Sequence, residues 1–270
     1  MLMAEYPNRE LLADIGWLKQ HLDDPHFRIL DVRASDPRLP IGYRMGHIPG
    51  AIALDPTRDF FVFEHRAPRL ATPEEIAQSL GKRGISNDTP IVIYDEWTGQ
   101  LAALTFWVLR YAGHQRARIL HGGWAIWRNS GGPVARDIPT VEPVEYRAQP
   151  NEAARATAEW IQTNAKQPDV LLLDTRTPDE YAMGHIPGAV NLSYDTALEM
   201  RTQTFKDAEQ LRDNLIGVGA TPDKEIVTYC AAGSRSAHMF TTLQLLGYPR
   251  VRNYDGSMTD WYHLRGLPLE

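Results

Sequence analysis

The sequence is almost without cysteine: Cys230 stands alone in 270 residues. One thiol excludes an intrachain disulfide framework and any cysteine-cluster metal site, leaving either a small buried hydrophobe or a reactive group. Long apolar runs are missing too, since charges interrupt each of them well before the roughly 20 residues a membrane span needs. The opening MLMAEYPNRE lacks the basic-then-apolar layout of a signal peptide, so no membrane association and a cytoplasmic location are expected. Neither sign of charge dominates. With 28 Lys and Arg against 34 Asp and Glu, the net charge of -6 gives no global pull toward nucleic acid or anionic lipid, and an anionic substrate has to be attracted locally. The nine histidines form no H-x-x-E-H or similar cluster, and GVGATP does not follow a strand as a dinucleotide fingerprint should, so neither metal nor cofactor is implied.

What is present is an internal repeat. WLKQHLDDPHFRILDVR lies over WIQTNAKQPDVLLLDTR, pairing Trp17 with Trp160, Asp31 with Asp174 and Arg33 with Arg176 at a spacing of 143. MGHIPGAIAL then matches MGHIPGAVNL at 138, GISNDTPIVIYD matches GATPDKEIVTYC at 135, and Gly122 and Trp127 fall over Gly256 and Trp261 at 134. Small one-sided drifts of this kind are what loop insertions produce. The expected organisation is a first domain over 1–135, a linker over 136–150 that is polar and carries three prolines, and a second domain over 151–270.

Each half should open with a helical segment ending near Trp17 or Trp160. An apolar run into aspartate follows, then a Gly-His-Ile-Pro-Gly turn and a second buried strand, PIVIY or EIVTY. Short Val/Ile/Leu runs alternating with helices indicate an α/β fold, a mostly parallel sheet covered by helices on both faces in each domain. Ligands of such sheets gather at the carboxyl ends of the strands, where Cys230 sits.

Cys230 directly follows a buried strand, and a helix should begin near Ser236. Unpaired loop amides and the positive end of the helix dipole make such a loop an anion cradle, a setting that stabilises a thiolate. Gly233 allows the tight turn, Ala231 and Ala232 leave room, Ser234 and Ser236 offer hydroxyls, and Arg235 offers a planar cation able to grip two oxygens of one anion. Core cysteines rarely border a polar Gly-Ser-Arg-Ser loop. The first half places Asp95 in the matching position, in YDEWTGQLAA, where no sulfur nucleophile exists.

The paired Asp-x-Arg segments, both GHIPGA motifs, the CAAGSR loop and the closing YDGSMTDW together resemble the tandem-domain rhodaneses, in which an inactive first domain precedes a catalytic second one. The resemblance spans nearly the whole chain. It implies a sulfurtransferase that moves sulfur from thiosulfate to a thiophilic acceptor, cyanide or a thiol, through a persulfide on Cys230, with Arg235 as the second catalytic residue. Ala231, Ala232, Gly233, Ser234 and Ser236 are expected to line the substrate site, and Arg58 and His65 to contact substrate from the first domain's long loop. Cysteine phosphatases use Cys-x5-Arg, whereas Cys230 to Arg235 is Cys-x4-Arg, a smaller cradle suited to a cysteine carrying an extra sulfur.

Animal-type thiosulfate rhodaneses have two basic residues in this loop and mercaptopyruvate sulfurtransferases a serine where this chain has Ala232, so neither signature fits; the latter also have an arginine where this chain has Glu180, and thiosulfate is therefore preferred, with 3-mercaptopyruvate as the alternative. With that serine missing, a relay through Asp55 and His65 would be incomplete. A cysteine-dependent phosphatase or a non-catalytic rhodanese-like binding module is the second alternative, and the first half fits the latter role. His47 and His185 are expected to fix turns, Asp174 with Arg176 to form a structural pair, Asp255 and Ser257 to support the pocket's shape, and Trp97, Trp124 and Trp127 to pack in the core.

Overall fold

A computed structural model of the chain describes residues 6–33, 42–64, 67–96 and 99–270. It divides into two compact units: residues 10–151 with 201–204, and residues 152–200 with 205–270 together with the chain start through Arg9. Asn8 donates to the Gln244 and Leu245 carbonyls at 2.7 and 3.2 Å, so this start packs on the second unit. Residues 136–150 carry neither helix nor strand and lie along the first unit. There the Val144 amide reaches the Gly81 carbonyl at 3.0 Å, and the buried Tyr146 hydroxyl reaches Ala112 at 3.2 Å.

In the first unit five strands form one sheet in the order Leu12–Ala13, Ala117–Leu120, Ile91–Tyr94, Arg28–Asp31, Ala51–Ala53, and every pairing is parallel. The second unit repeats the order with Val251–Asn253, Glu225–Tyr229, Val170–Asp174 and Val190–Asn191, again all parallel. Arg155, which aligns with Leu12, makes only a single parallel bridge to Asn253, reducing the fifth strand to one residue. Helices such as Gln100–Tyr111 and Ser234–Leu245 supply the crossovers that parallel pairing requires.

The two cores use repeat-related positions: Ile48, Val92 and Trp127 in one, Ile186, Val227 and Trp261 in the other, all nearly or fully buried. Each such aliphatic side chain contributes about 1.5–3 kcal/mol through burial. The Asp-x-Arg segments pin these cores to their turns. Arg176 bonds Asp174 at 2.6 Å and the Gly184 carbonyl at 2.8 Å, as Arg33 bonds Asp31 at 2.6 Å and Gly46 at 2.7 Å. The histidines complete the turns. His47 stacks on Tyr43 and shares its ring nitrogens with the Tyr43 and Asp137 carbonyls, both at 2.9 Å, and His185 stacks on Tyr181.

One local expectation needs correction. Trp17 and Trp160 stand in the first turns of Ile15–Gln20 and Ala158–Asn164, at the beginning of these helices and not at their ends. Asp14 and Thr157 cap them by accepting from the Trp17 and Trp160 amides, so the start signal lay in Asp14 and Thr157 and the tryptophans merely follow it. Among the described residues no helix is long and apolar enough to cross a membrane.

Candidate active site

The strand Glu225–Tyr229 is buried beyond its first residue and delivers Cys230 to the carboxyl end of the second sheet. Gly233 then takes φ +93° as N-cap of Ser234–Leu245, a left-handed conformation that glycine adopts without strain. A Cβ there would stand 2.7 Å from the Asp255 carbonyl oxygen, so both the torsion and the close backbone approach demand glycine. This tight return aims the Gly233 amide at the Cys230 sulfur, at 3.1 Å. Cys230 is only 1% exposed, with this backbone donor on its sulfur.

The rest of the cradle follows from the helix start. Among the described residues no hydrogen-bond acceptor takes the amides of Ala231, Ala232, Ser234, Arg235 and Ser236, and Gly233 provides no side-chain cap. Unpaired first-turn donors are the feature that binds anions at helix starts. Ala232 is exposed and marks the mouth of the loop, while Ser234 and Arg235 are partly buried. The buried Ser236 hydroxyl donates back to the Gly233 carbonyl at 3.0 Å, so it braces the loop.

Arg235 differs from the free two-oxygen grip expected of it. Both terminal nitrogens are taken by Glu180, at 2.7 and 2.8 Å. Glu180 is fixed in turn by a capping box with Thr177 at the start of Pro178–Ala182, and the bond to Arg235 holds its carboxyl at about 2. The guanidinium is pushed further toward its charged form, first by Glu180 and in smaller part by Cys230. Arg235 therefore acts on the thiol as a nearby, partly neutralised charge.

Ser257 has a more direct place than shape support. Its backbone is left-handed at φ +51°, costly for a side chain with a Cβ, and its hydroxyl accepts the Cys230 amide at 3.0 Å and donates to the Tyr254 carbonyl at 2.8 Å. The same oxygen lies 3.9 Å from the sulfur. Thr259 holds the other flank, donating from its amide and hydroxyl to the Ala231 carbonyl at 3.0 and 2.9 Å. Asp255 is paired with Arg155 at 2.8 Å.

The first unit fills the matching helix start. Gly99, at φ +71°, is N-cap of Gln100–Tyr111, and the Asp95 carboxylate accepts the Leu101 and Ala102 amides at 3.0 and 3.2 Å. Those amides align with Arg235 and Ser236. A built-in carboxyl group thus occupies in one half the donors left open in the other, and burial raises the Asp95 carboxyl to about 7. Gly123, at φ +54°, stands where the second half has Ser257.

Of the remaining expected substrate contacts, Arg58 belongs to the first unit, where it is 86% exposed and lies 3.5 Å from Asp55, the cap of Pro56–Asp59. His65 and Trp97 fall outside the described residues. Trp124 and Trp127 are buried in the first core. The sequence placed Ser257 at the pocket and singled out Glu180, without the contacts they make to Cys230 and Arg235, and it did not single out Thr259. The T-P-D-E capping box announced Glu180 as a fixed carboxylate, while nothing local in the sequence announced the reach of Ser257 to Cys230.

A cysteine with a backbone amide on its sulfur, set between a parallel strand and a helix start in one of two repeated units, marks an α/β protein of two domains with a candidate reactive thiol. The chain belongs to the Rhodanese-like domain family, whose model matches residues 14–130 and again 157–264. It is similar to the sulfur carrier protein TtuD of Thermus thermophilus, 36% identical with 98% of each chain covered. It is also similar to the thiosulfate sulfurtransferase of Azotobacter vinelandii, 30% identical over 99% of this chain and 100% of that one. Among solved structures, SseA of Escherichia coli, described with the rhodanese fold and the mechanism of 3-mercaptopyruvate sulfotransferases, superposes with a TM-score of 0.82 at 27% identity, covering 92% of this chain and 98% of that one.

Proposed function

We propose that the protein is a thiosulfate sulfurtransferase working through a Cys230 persulfide. The observation that carries this is the Gly233 amide on the Cys230 sulfur at 3.1 Å, in a loop where the amides of Ala231, Ala232, Ser234, Arg235 and Ser236 meet no acceptor among the described residues. The Cys230 thiolate attacks the outer sulfur of thiosulfate, and the bond from that sulfur to the sulfonate group breaks, with sulfite leaving on the electron pair. A cyanide or thiolate acceptor then attacks the outer sulfur of the persulfide and returns Cys230 as thiolate, so one exchange becomes two easier displacements. Loop amides already in place stabilise the charge in both steps. Arg235 adds positive charge beside the sulfur and Glu180 fixes where that charge lies.

The methyl group of Ala232 offers no hydroxyl to a keto acid, which favours thiosulfate over 3-mercaptopyruvate. A second reading, delivery of the persulfide sulfur to a partner's thiol, is favoured by the absence of any other cysteine in 270 residues, since no resolving thiol exists within the chain. Both readings need Cys230 and differ in the acceptor. The test is steady-state sulfur transfer from thiosulfate and from 3-mercaptopyruvate to cyanide and to thiols, with wild type beside Cys230→Ala. Higher kcat/KM for thiosulfate and no turnover by the variant are expected. Turnover by Cys230→Ala, or efficient use of 3-mercaptopyruvate alone, would contradict the proposal.

A further inference from the structure

At the amino ends of the first unit's strands, opposite the end that carries Asp95, lies a cleft of about 530 Å³ walled by Trp17 and Phe27 and lined by Arg110, Arg116 and Arg118. We propose that this cleft binds a small multivalent oxyanion of the diphosphate or polycarboxylate type.

The second unit provides the comparison. Arg250 and Arg252 align with Arg116 and Arg118, and Arg252 lies over Trp160 at 4.6 Å just as Arg118 lies over Trp17 at 4.5 Å. There, however, both cations are neutralised: Arg250 by Asp169 at 2.9 Å and Arg252 by Glu225. In the first unit the positions of those two carboxylates hold His26 and Pro90, and the position of Gln244 holds Arg110. Three changes in one place each add positive charge or remove negative charge, in a chain whose net charge is -6.

Among the described residues no carboxylate stands within ion-pairing distance of Arg110, Arg116 or Arg118, although most arginines elsewhere in the fold are paired. Glu10 and Asp24 on the rim are exposed, and Glu10 acts on Arg110 only at longer range. Arg110 is partly buried against Phe106 at 4.8 Å, and its Nε is buried with no partner among the described residues. A guanidinium with an unused donor and no facing carboxylate favours a bound anion. Guanidinium groups match the paired oxygens of phosphate and carboxylate, which sets the ligand class.

Titration calorimetry of the full chain with pyrophosphate and with citrate, against acetate as a monovalent control, tests this. At least one of the two polyanions should bind saturably, more weakly as salt rises, and acetate should not. Arg116→Ala, Arg110→Gln and Pro90→Glu, the last two installing the second unit's own residues, should each weaken binding about tenfold. Circular dichroism melts identify any variant that fails to fold, and the exposed Arg116→Ala keeps the test open if a buried one does. No binding of either polyanion to wild type overturns the proposal. So does binding that the three variants leave unchanged, because the anion then sits elsewhere, for example in the Cys230 loop.

Discussion

Replacing Gly233 by alanine separates the geometry of the cysteine loop from a generic loss of stability. The φ of +93° is left-handed, and the new Cβ would lie 2.7 Å from the Asp255 carbonyl oxygen and 3.2 Å from its Cα, both backbone atoms that cannot swing aside. The torsion costs about 1–2 kcal/mol and the overlap about 1–3 kcal/mol more, so a loss of about 2–5 kcal/mol is expected. Gly188 is the control within the same unit, with φ +80° and no heavy atom within 4 Å of its Cβ site. Gly188→Ala should therefore cost only the torsion, about 1–2 kcal/mol. Relieving the overlap moves Gly233 away from Asp255 and shifts its amide off the Cys230 sulfur. Loss of one oriented donor should lower sulfur-transfer kcat/KM by about tenfold or more in Gly233→Ala and leave Gly188→Ala near wild type. Urea unfolding followed by circular dichroism gives the stabilities, and initial rates with thiosulfate and cyanide give the activities. If the two variants match in both measurements, the close approach at Gly233 is not what organises the thiol.

Other perturbations follow from the same contacts. Ser257→Gly relieves a left-handed torsion but removes the acceptor of the Cys230 amide, so stability should change by no more than about 1 kcal/mol while kcat/KM drops about tenfold. Equal retention of both would leave the hydroxyl without a role. Glu180→Gln frees Arg235, and KM for thiosulfate should fall several-fold; a rise would mean the ion pair is needed intact. Because Arg235 lowers the Glu180 carboxyl from 4.5 to about 2, the pair stabilises the fold above that window and the contribution disappears as pH falls through it, an acid limb that Glu180→Gln should lack in urea titrations. Asp95 works in the opposite sense. Burial raises it from 3.8 to about 7, so the folded protein holds more protons than the unfolded one in that range and stability declines as pH rises. Asp95→Asn should flatten this decline and be more stable on the alkaline side by about 1–3 kcal/mol, whereas a less stable variant at every pH would refute it.

Much of the architecture was legible because the chain states it twice. Two copies of an apolar run into Asp-x-Arg and of GHIPGA fixed both sheets and their turns, and the strand before Cys230 followed from EIVTY. The helix starts at Asp14 and Thr157 were less legible because each rests on one short polar side chain that accepts the amide of a large aromatic three residues on. The cysteine loop was legible as a local motif, in which Gly233 and the helix start are consecutive in sequence. Its long-range partners were not: Ser257 is 27 residues from Cys230 and Glu180 is 55 residues from Arg235, and only folding brings them together. The first unit's occupied cradle could be anticipated in part, since Asp95 stood in the cysteine's place. That its carboxylate takes the helix amides depends on a turn whose geometry the sequence does not state.

The central claim is that Cys230 carries a sulfur atom in a cradle of main-chain donors. Peptide mass spectrometry after brief incubation with thiosulfate, without acceptor, measures this most directly. One added sulfur on the peptide containing Cys230 is expected in wild type, removed by cyanide and absent from Cys230→Ser. An unmodified wild-type peptide under conditions in which sulfite is released would contradict the account.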